Sequence, residues 1–182
     1  MTARSAHPPA SPSSAPTDGP RFAEFCRRYV RHTKGRWAGK PLILEPFQSA
    51  FVNELLEVGD DGLRVYREAL LGLPRKNGKS TIVAALGLYF LIADRESGPE
   101  VYVAAAARDQ ARVIFDQAKA FVDASPGLQD FVRVRQYHIE TLRHPGVMRV
   151  LSSDARLQHG LNPSAVVIDE LHAHRDPELY TA

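Results

Sequence analysis

The 182-residue chain has very little cysteine and no hydrophobic run long enough to cross a membrane. Cys26 is the only cysteine, which excludes an intrachain disulfide and a zinc site built from several thiolates, and which suits a reducing cytoplasm. The longest apolar run, around residues 82–93, is interrupted by Gly87 and Tyr89 and falls short of the ~20 residues that a membrane-spanning helix needs. The first residues have no apolar core of a secretory signal. These absences predict a soluble intracellular protein.

An excess of charge of one sign is also missing. The chain has 23 Lys and Arg against 21 Asp and Glu, so charge alone does not demand a nucleic-acid partner. The basic residues are nevertheless concentrated, because residues 27–40 contain six of them. In the same region Phe22, Phe25 and Tyr29 have helical spacing, which predicts an amphipathic helix docked by its aromatic face. Whether its charges are solvated or contact nucleic-acid phosphates remains open at this point.

Residues 1–20 lack large aliphatic and aromatic side chains. They contain five proline, four serine and four alanine residues, and such a segment cannot bury enough surface to offset its ordering entropy. We therefore expect a disordered leader over 1–20, an N-terminal helical segment over 21–62, and one α/β core over 63–182. The 44% of hydrophobic residues is sufficient for a core of this size.

Strand-like and helix-like patterns alternate along the rest of the chain, which predicts a largely parallel sheet flanked by helices. The predicted helices cover residues 46–58, 81–93 and 109–124. The predicted strands cover residues 63–73, 101–105, 131–135, 137–142, 147–151 and 165–168. The strands at 137–142 and 147–151 form a predicted hairpin. The apolar run Ala165-Val-Val-Ile168 is predicted to be a central strand, buried on both faces.

The segment Leu73-Pro-Arg-Lys-Asn-Gly-Lys-Ser80 has the closing half of a phosphate-binding loop but lacks its opening glycine. It leaves a predicted strand and opens a predicted helix, where backbone N–H groups and the helix N-terminus face phosphates. Gly78 would allow close backbone approach, Lys79 would contact the β- and γ-phosphates, and Ser80 would coordinate Mg²⁺. The predicted nucleotide-binding set is Pro74, Arg75, Lys76, Asn77, Gly78, Lys79, Ser80 and Thr81. A chance Gly-Lys-Ser at a helix start is the competing explanation.

A second motif weighs against chance. The apolar strand at 165–168 is followed directly by Asp169 and Glu170. Carboxylates at the tip of such a strand lie where α/β sheets bind ligands, so Asp169 can hold Mg²⁺ and Glu170 can polarise an attacking water. Acidic residues that lead into a helix are the ordinary alternative. The two motifs together favour a nucleoside-triphosphate hydrolase.

These segments resemble the N-terminal ATPase region of the terminase large subunit of tailed bacteriophages and prophages. The similarity runs from about Phe22 to the end of the chain. Its marks are Gly35-x-Trp37-x-Gly39-x-Pro41-Leu42, Pro46-Phe-Gln48, Pro74-Arg-Lys-Asn-Gly-Lys-Ser80, Val103-x5-Asp109-Gln-Ala111 and Gly160-x-Asn162-Pro-Ser164-x-Val-Val-x-Asp169-Glu170-x-His172. Members of this family commonly lack the first loop glycine and carry basic residues instead, which accounts for Leu73.

The resemblance implies an ASCE-type P-loop ATPase that binds ATP and Mg²⁺. It implies phosphate and metal binding by Lys79 and Ser80, metal support by Asp169 in the second motif, and a catalytic role for Glu170.

Four further residues receive roles from the resemblance, and three of them also have an ordinary alternative. Gln48 would read the adenine edge, or would be a surface amide that caps a helix turn. Arg75 would contact the γ-phosphate. Arg156 would be an arginine finger offered to a neighbouring subunit, or a solvated side chain in a polar loop. Arg108 would touch DNA or nucleotide, or lie on the surface at a helix start.

At the level of function, the resemblance implies a motor that packages double-stranded DNA into procapsids in the cytoplasm of the bacterial host. Portal protein and the small terminase subunit would be its partners, a homo-oligomeric ring its full-length assembly, and a membrane would not be involved. Family members continue into a nuclease domain, so a C-terminally incomplete core is expected, with nuclease activity only in a full-length protein. Two alternatives stay open: a helicase-like DNA-processing ATPase, and an inactive truncated remnant that only binds nucleotide.

Overall fold

The computed structural model of the chain describes residues 16–105, 108–151 and 161–169. Its helices are α1 (Gly19–Tyr29), α2 (Pro46–Leu55), α3 (Lys79–Ile92), α4 (Arg108–Asp123) and α5 (Pro126–Gln129), with a short 3₁₀ turn at Gly35–Trp37. Its strands are β1 (Glu100–Ala105), β2 (Val132–Val134), β3 (His138–Thr141), β4 (Val147–Val150) and β5 (Ala165–Asp169). Within this part of the chain, no helix is both long and apolar enough to span a membrane.

The strands form one sheet in the order β2-β3-β4-β1-β5. Strand β1 is parallel to both of its neighbours, β4 and β5, whereas β3 is antiparallel to β2 and β4. Four of the five strands therefore run in one direction and only β3 opposes them. This confirms the predicted α/β class with a largely parallel sheet, and it confirms the predicted hairpin, which is formed by β3 and β4.

Helix α3 is the centre of the core. Sequence analysis predicted a buried helix here, and most of its side chains are indeed inaccessible to solvent, including Leu88, Tyr89 and Leu91. The predicted aromatic face of α1 packs on it, because Phe22 and Phe25 meet the Tyr89 ring edge-on at centroid distances of 5.4 and 5.7 Å. The phosphate loop thus enters a helix that the rest of the fold holds firmly.

The prediction of a strand over residues 63–73 is wrong. The only β pairing in this segment is an isolated bridge between Arg64 and Val58. Several of its apolar side chains lie in solvent instead of on the sheet: Leu63, Val65, Tyr66 and Leu70 are all exposed. The apolar residues of this segment are therefore not sufficient to predict a strand, because strand formation also requires a neighbouring strand that can be distant in sequence.

The position predicted for the strand at 165–168 is also wrong in the described sheet. Strand β5 pairs with β1 alone, at one end of the strand order, and Val166 is 47% exposed. A short run of valine and isoleucine fits an edge as well as a centre, so its composition did not distinguish the two.

The N-terminal part of the fold begins earlier than sequence analysis placed it. Helix α1 starts at Gly19, inside the range 1–20 that was predicted as a leader, while residues 1–15 lie outside the described chain. Helix α2 ends at Leu55, and its most buried residues are Val52 and Gln48. The amide of Gln48 is buried because its side chain packs against Gly78 of the phosphate loop.

Candidate active site

The phosphate loop turns sharply before α3. Lys76 and Gly78 both have left-handed backbone conformations, with φ of 70° and 78°. A non-glycine residue in this region is uncommon and is strained, and such strain concentrates at functional sites. The Asn77 amide ties the loop by donating to the Pro74 carbonyl at 3.2 Å. A hydrogen bond inside the loop therefore helps to hold this strained conformation.

Helix α3 begins directly at the end of this loop. Its first internal hydrogen bond runs from the Ile82 N–H to the Gly78 carbonyl at 3.0 Å. The amides of Lys79, Ser80 and Thr81 belong to the first turn, whose N–H groups have no acceptor within the helix. Together with the helix dipole, these amides form a favourable environment for an anion such as a phosphate.

The lysine of the loop and the carboxylate of the second motif meet in space. Lys79 Nζ lies 2.9 Å from Asp169 Oδ1, and their side chains are 31% and 12% exposed. Asp169 is the last residue of β5 and is in register with Ala105, the last residue of β1. The carboxyl ends of β1 and β5 and the start of α3 therefore meet at one edge of the sheet, and Lys79 and Asp169 come together there from positions 90 residues apart in sequence.

Gln48 adjoins the same loop from α2. Its side-chain oxygen accepts a hydrogen bond from the Glu45 N–H at 3.0 Å and completes a capping box with Glu45. Its side-chain nitrogen lies against Gly78, where an added Cβ would be only 3.1 Å away. Gln48 thus does cap its helix, as the alternative interpretation held, but it is 9% exposed and is not a surface amide.

The remaining predicted residues are distributed around this centre. Pro74, Arg75, Lys76 and Asn77 form the exposed outer part of the loop, and Gly78, Ser80 and Thr81 its partly buried inner part. Arg108 is the first residue of α4. Glu170 and Arg156 lie outside the described residues, so their predicted roles stay predictions.

Residues 46–182 match the family model for the terminase large subunit, ATPase domain. The chain belongs to this family. The match confirms the resemblance expected from the motifs, and its range includes Gln48, the phosphate loop and Asp169.

A curated sequence and a solved structure, both of the large terminase of phage HK97, extend the comparison. The terminase ATPase chain is 28% identical over 167 residues to the terminase large subunit of Enterobacteria phage HK97, which covers 89% of this chain and 32% of that protein. It also resembles the crystal structure of the HK97 bacteriophage large terminase, with a TM-score of 0.70 and 25% identity over 84% of this chain and 31% of the other. The chain therefore spans about a third of the length of the relatives it matches.

One feature of the site in this terminase ATPase domain was not predicted from the sequence. The motifs indicate separate contacts of Gln48 and Gly78 with nucleotide, whereas in the structure the two residues pack against each other. The available signal was the Glu45-x-x-Gln48 spacing of a capping box, which fixes the glutamine side chain at the first turn of α2. The pattern could not show which loop that turn faces.

Proposed function

We propose that this chain is the ATP-hydrolysing part of a motor that drives double-stranded DNA into a procapsid. The observation that carries the proposal is the 2.9 Å contact between Lys79 Nζ and Asp169 Oδ1. Enzymes that hydrolyse ATP at a phosphate loop need a loop lysine on the phosphates and a strand-end carboxylate for the metal, at one place. The fold brings these two groups together from the start of α3 and the end of β5, which are distant in sequence.

The phosphates of ATP would lie at the start of α3. Lys79 would exchange its contact with Asp169 for oxygens of the β- and γ-phosphates, and the first-turn amides would donate to the same oxygens. Arg75, in the exposed part of the loop, would add positive charge at the γ-phosphate. Gln48 would read the adenine edge, and because it packs on Gly78, nucleotide recognition and loop conformation would be mechanically linked.

The oxygen donors beside Lys79 fit a magnesium ion. Mg²⁺ prefers oxygen ligands and is held by few protein groups when it accompanies a nucleotide. Ser80, in the first turn of α3, and Asp169, at the end of β5, would be those groups. The ion would neutralise charge that develops on the phosphates.

The residues that follow the strand would direct the attacking water. Glu170 comes directly after Asp169, so we propose that its carboxylate orients the water and accepts its proton during in-line attack on the γ-phosphate. Arg156 would stabilise the transition state in a neighbouring subunit. The role of Arg156 requires a homo-oligomeric ring, which together with a portal protein, a small terminase subunit and a nuclease domain belongs to the proposed full-length assembly in the host cytoplasm.

Phosphate release and thermal melting test the proposal. We expect the parent chain to melt at a higher temperature with Mg²⁺ and ATP, since a ligand at 100 times its Kd stabilises by about 2.7 kcal/mol. Lys79→Ala should abolish this shift, and Glu170→Gln should keep the shift but lower the hydrolysis rate by roughly 100-fold or more, as expected for loss of a general base. Lys119→Ala, on the exposed face of α4, is the charge-matched control and should behave like the parent. Hydrolysis by Lys79→Ala at the parent rate would refute the site.

A further inference from the structure

We propose that residues 31–41, called here the Trp37 loop, bind the phosphate backbone of duplex DNA. The inference deepens the proposed function, because it rests on double-stranded DNA as the substrate of the motor. It concerns a surface formed by the chain before residue 46, where the family match begins. Three observations carry it: an excess of positive charge, an exposed indole in contact with two cations, and a loop held by hydrogen bonds.

The charge around the Trp37 loop is uniform in sign. No aspartate or glutamate occurs between Glu24 and Glu45, while six basic residues do, in a chain whose net charge is only +2. Arg27 is paired with Glu24 at 2.6 Å, and the Arg31 guanidinium donates to the backbone carbonyls at the end of α1. The other cations on the loop, Lys34, Arg36 and Lys40, are exposed, and the described chain supplies them no ion pair.

Trp37 organises two of these cations. The indole is 48% exposed, with Arg36 Cζ at 5.1 Å and Lys40 Nζ at 4.7 Å from the ring centroid. Both distances are within the range of a cation–π contact. An exposed indole buries little surface of its own, but it restricts two flexible side chains before any ligand arrives. Such pre-ordering lowers the entropic cost of binding two phosphates at once.

The loop is held in one shape by the main chain. The His32 N–H donates to the Lys40 carbonyl and the Gly39 N–H to the His32 carbonyl, at 3.0 and 2.8 Å. Arg31 forms a β-bridge with Pro41, which closes the base of the loop. From the side, Gln117 of α4 donates to the Thr33 hydroxyl at 3.1 Å. The cations are therefore presented on a fixed scaffold that is joined to the ATPase core.

Duplex DNA fits this surface better than an anionic lipid surface does. Its two strands carry one negative charge per ~1.7 Å of axis, so several fixed cations find partners over a short distance. A lipid surface would require a broad apolar face, whereas the loop offers one indole. Contacts of this type carry no sequence preference, which suits an enzyme that translocates along DNA.

The single tryptophan of the chain makes the test local. Because Trp37 is the only tryptophan, intrinsic emission at 295 nm excitation reports on this loop alone. We expect a 30-base-pair duplex, added without nucleotide in 50 mM salt, to change that emission and to reduce its quenching by acrylamide. The neutral quencher avoids attraction to the cations. If saturating duplex, shown to be bound by anisotropy, leaves acrylamide quenching unchanged, the inference is overturned.

A matched pair of double variants tests the charges. Arg36→Ala with Lys40→Ala should weaken duplex binding roughly 10-fold or more at 0.1 M salt and reduce the slope of log K against log salt by about 1.8, for two lost phosphate contacts. Arg112→Ala with Lys119→Ala removes the same charge from the exposed face of α4 and should change the slope by much less. Equal losses in both pairs would mean a general charge effect and would contradict a site at the loop.

Failure of this inference differs from failure of the proposed function. Binding is measured without ATP, so an absence of hydrolysis leaves the fluorescence result untouched. A chain that hydrolyses ATP but whose Trp37 is not shielded by bound duplex retains the proposed active site and loses the DNA-binding loop. Circular dichroism of each variant verifies that the exposed substitutions leave the fold intact.

Discussion

At the scale of single residues, Gly78 is the position on which the candidate site depends most. It has a left-handed backbone, it precedes the first residue of α3, and it contacts the Gln48 side chain. A Cβ at this position would strain the left-handed backbone and press on the Gln48 side chain. Lys76, two positions earlier, adopts a similar φ without being glycine, so the loop stores strain that its surroundings must hold in place.

Gly78→Ala is expected to lower stability and to weaken ATP binding. The left-handed conformation costs alanine about 1 kcal/mol, and the new Cβ would press on Gln48 Nε2 from 3.1 Å. Gly62→Ala is a matched control, because Gly62 has the same φ of 78° but no atom within 4 Å of an added Cβ. Urea unfolding and the ATP-dependent melting shift are the measurements. Both variants should lose stability, but only Gly78→Ala should lose part of the shift; an equal shift in both would remove Gly78 from the binding site.

At the scale of elements, α1 and α2 pack unusually closely at Gly19. A Cβ added there would lie 2.8 Å from the Asn53 backbone Cα, a contact that no side-chain rotation can relieve. The hydroxyl of Thr17 donates to the Asn53 carbonyl at 2.6 Å and locks the same contact from the preceding turn. The start of the described chain is thus joined to the helix that carries Gln48.

Gly19→Ala should therefore push α1 and α2 apart. We expect a loss of about 1–3 kcal/mol in the free energy of unfolding, as for overpacking elsewhere in protein cores. Gly72→Ala provides the comparison, since its Cβ would meet nothing within 4 Å and its φ is not positive; it should be neutral or slightly stabilising. A urea midpoint for Gly19→Ala that equals that of Gly72→Ala would show that the helices accommodate a methyl group.

The elements also show what could be predicted from sequence. The helices near 81–93 and 109–124 and the four strands from residue 100 to 150 were predicted almost at their observed positions, because their periodicity and turn residues are local signals. The prediction of a strand at 63–73 was wrong, and within the described sheet so was the central position predicted for the strand at 165–168, because pairing depends on distant partners. The phosphate loop was recognisable for the same local reason, whereas the packing of Gln48 on Gly78 joins segments that sequence patterns cannot orient.

At the scale of the whole molecule, Arg64 joins segments that are far apart in the chain. Its guanidinium contacts Asp18 at 2.9 Å, Asp94 at 2.8 Å and the Leu56 carbonyl at 2.9 Å. Asp94 lies just beyond the end of α3, a helix about 21 Å long at 1.5 Å per residue, whose other end carries Lys79. The helix that bears the phosphate loop is therefore held by an ionic contact at one end and approaches Asp169 at the other.

Arg64→Ala should destabilise the whole fold, since two carboxylates that are 16% and 21% exposed would lose the cation between them. We expect a loss of about 2 kcal/mol, less than for a fully buried pair because solvent still reaches the site. Arg64→Lys should recover only part of this loss, since an ammonium cannot reproduce the fork that bridges both partners.

Arg95→Ala is the control: Arg95 also faces Asp18, but at 3.7 Å and with a 78% exposed side chain, so its removal should cost under about 0.5 kcal/mol. Urea unfolding of the three variants measures the differences. Equal urea midpoints for Arg64→Ala and Arg95→Ala would mean that the ionic contacts of Arg64 do not hold α3 in place. The buried apolar surface of α3 would then be sufficient to hold the helix.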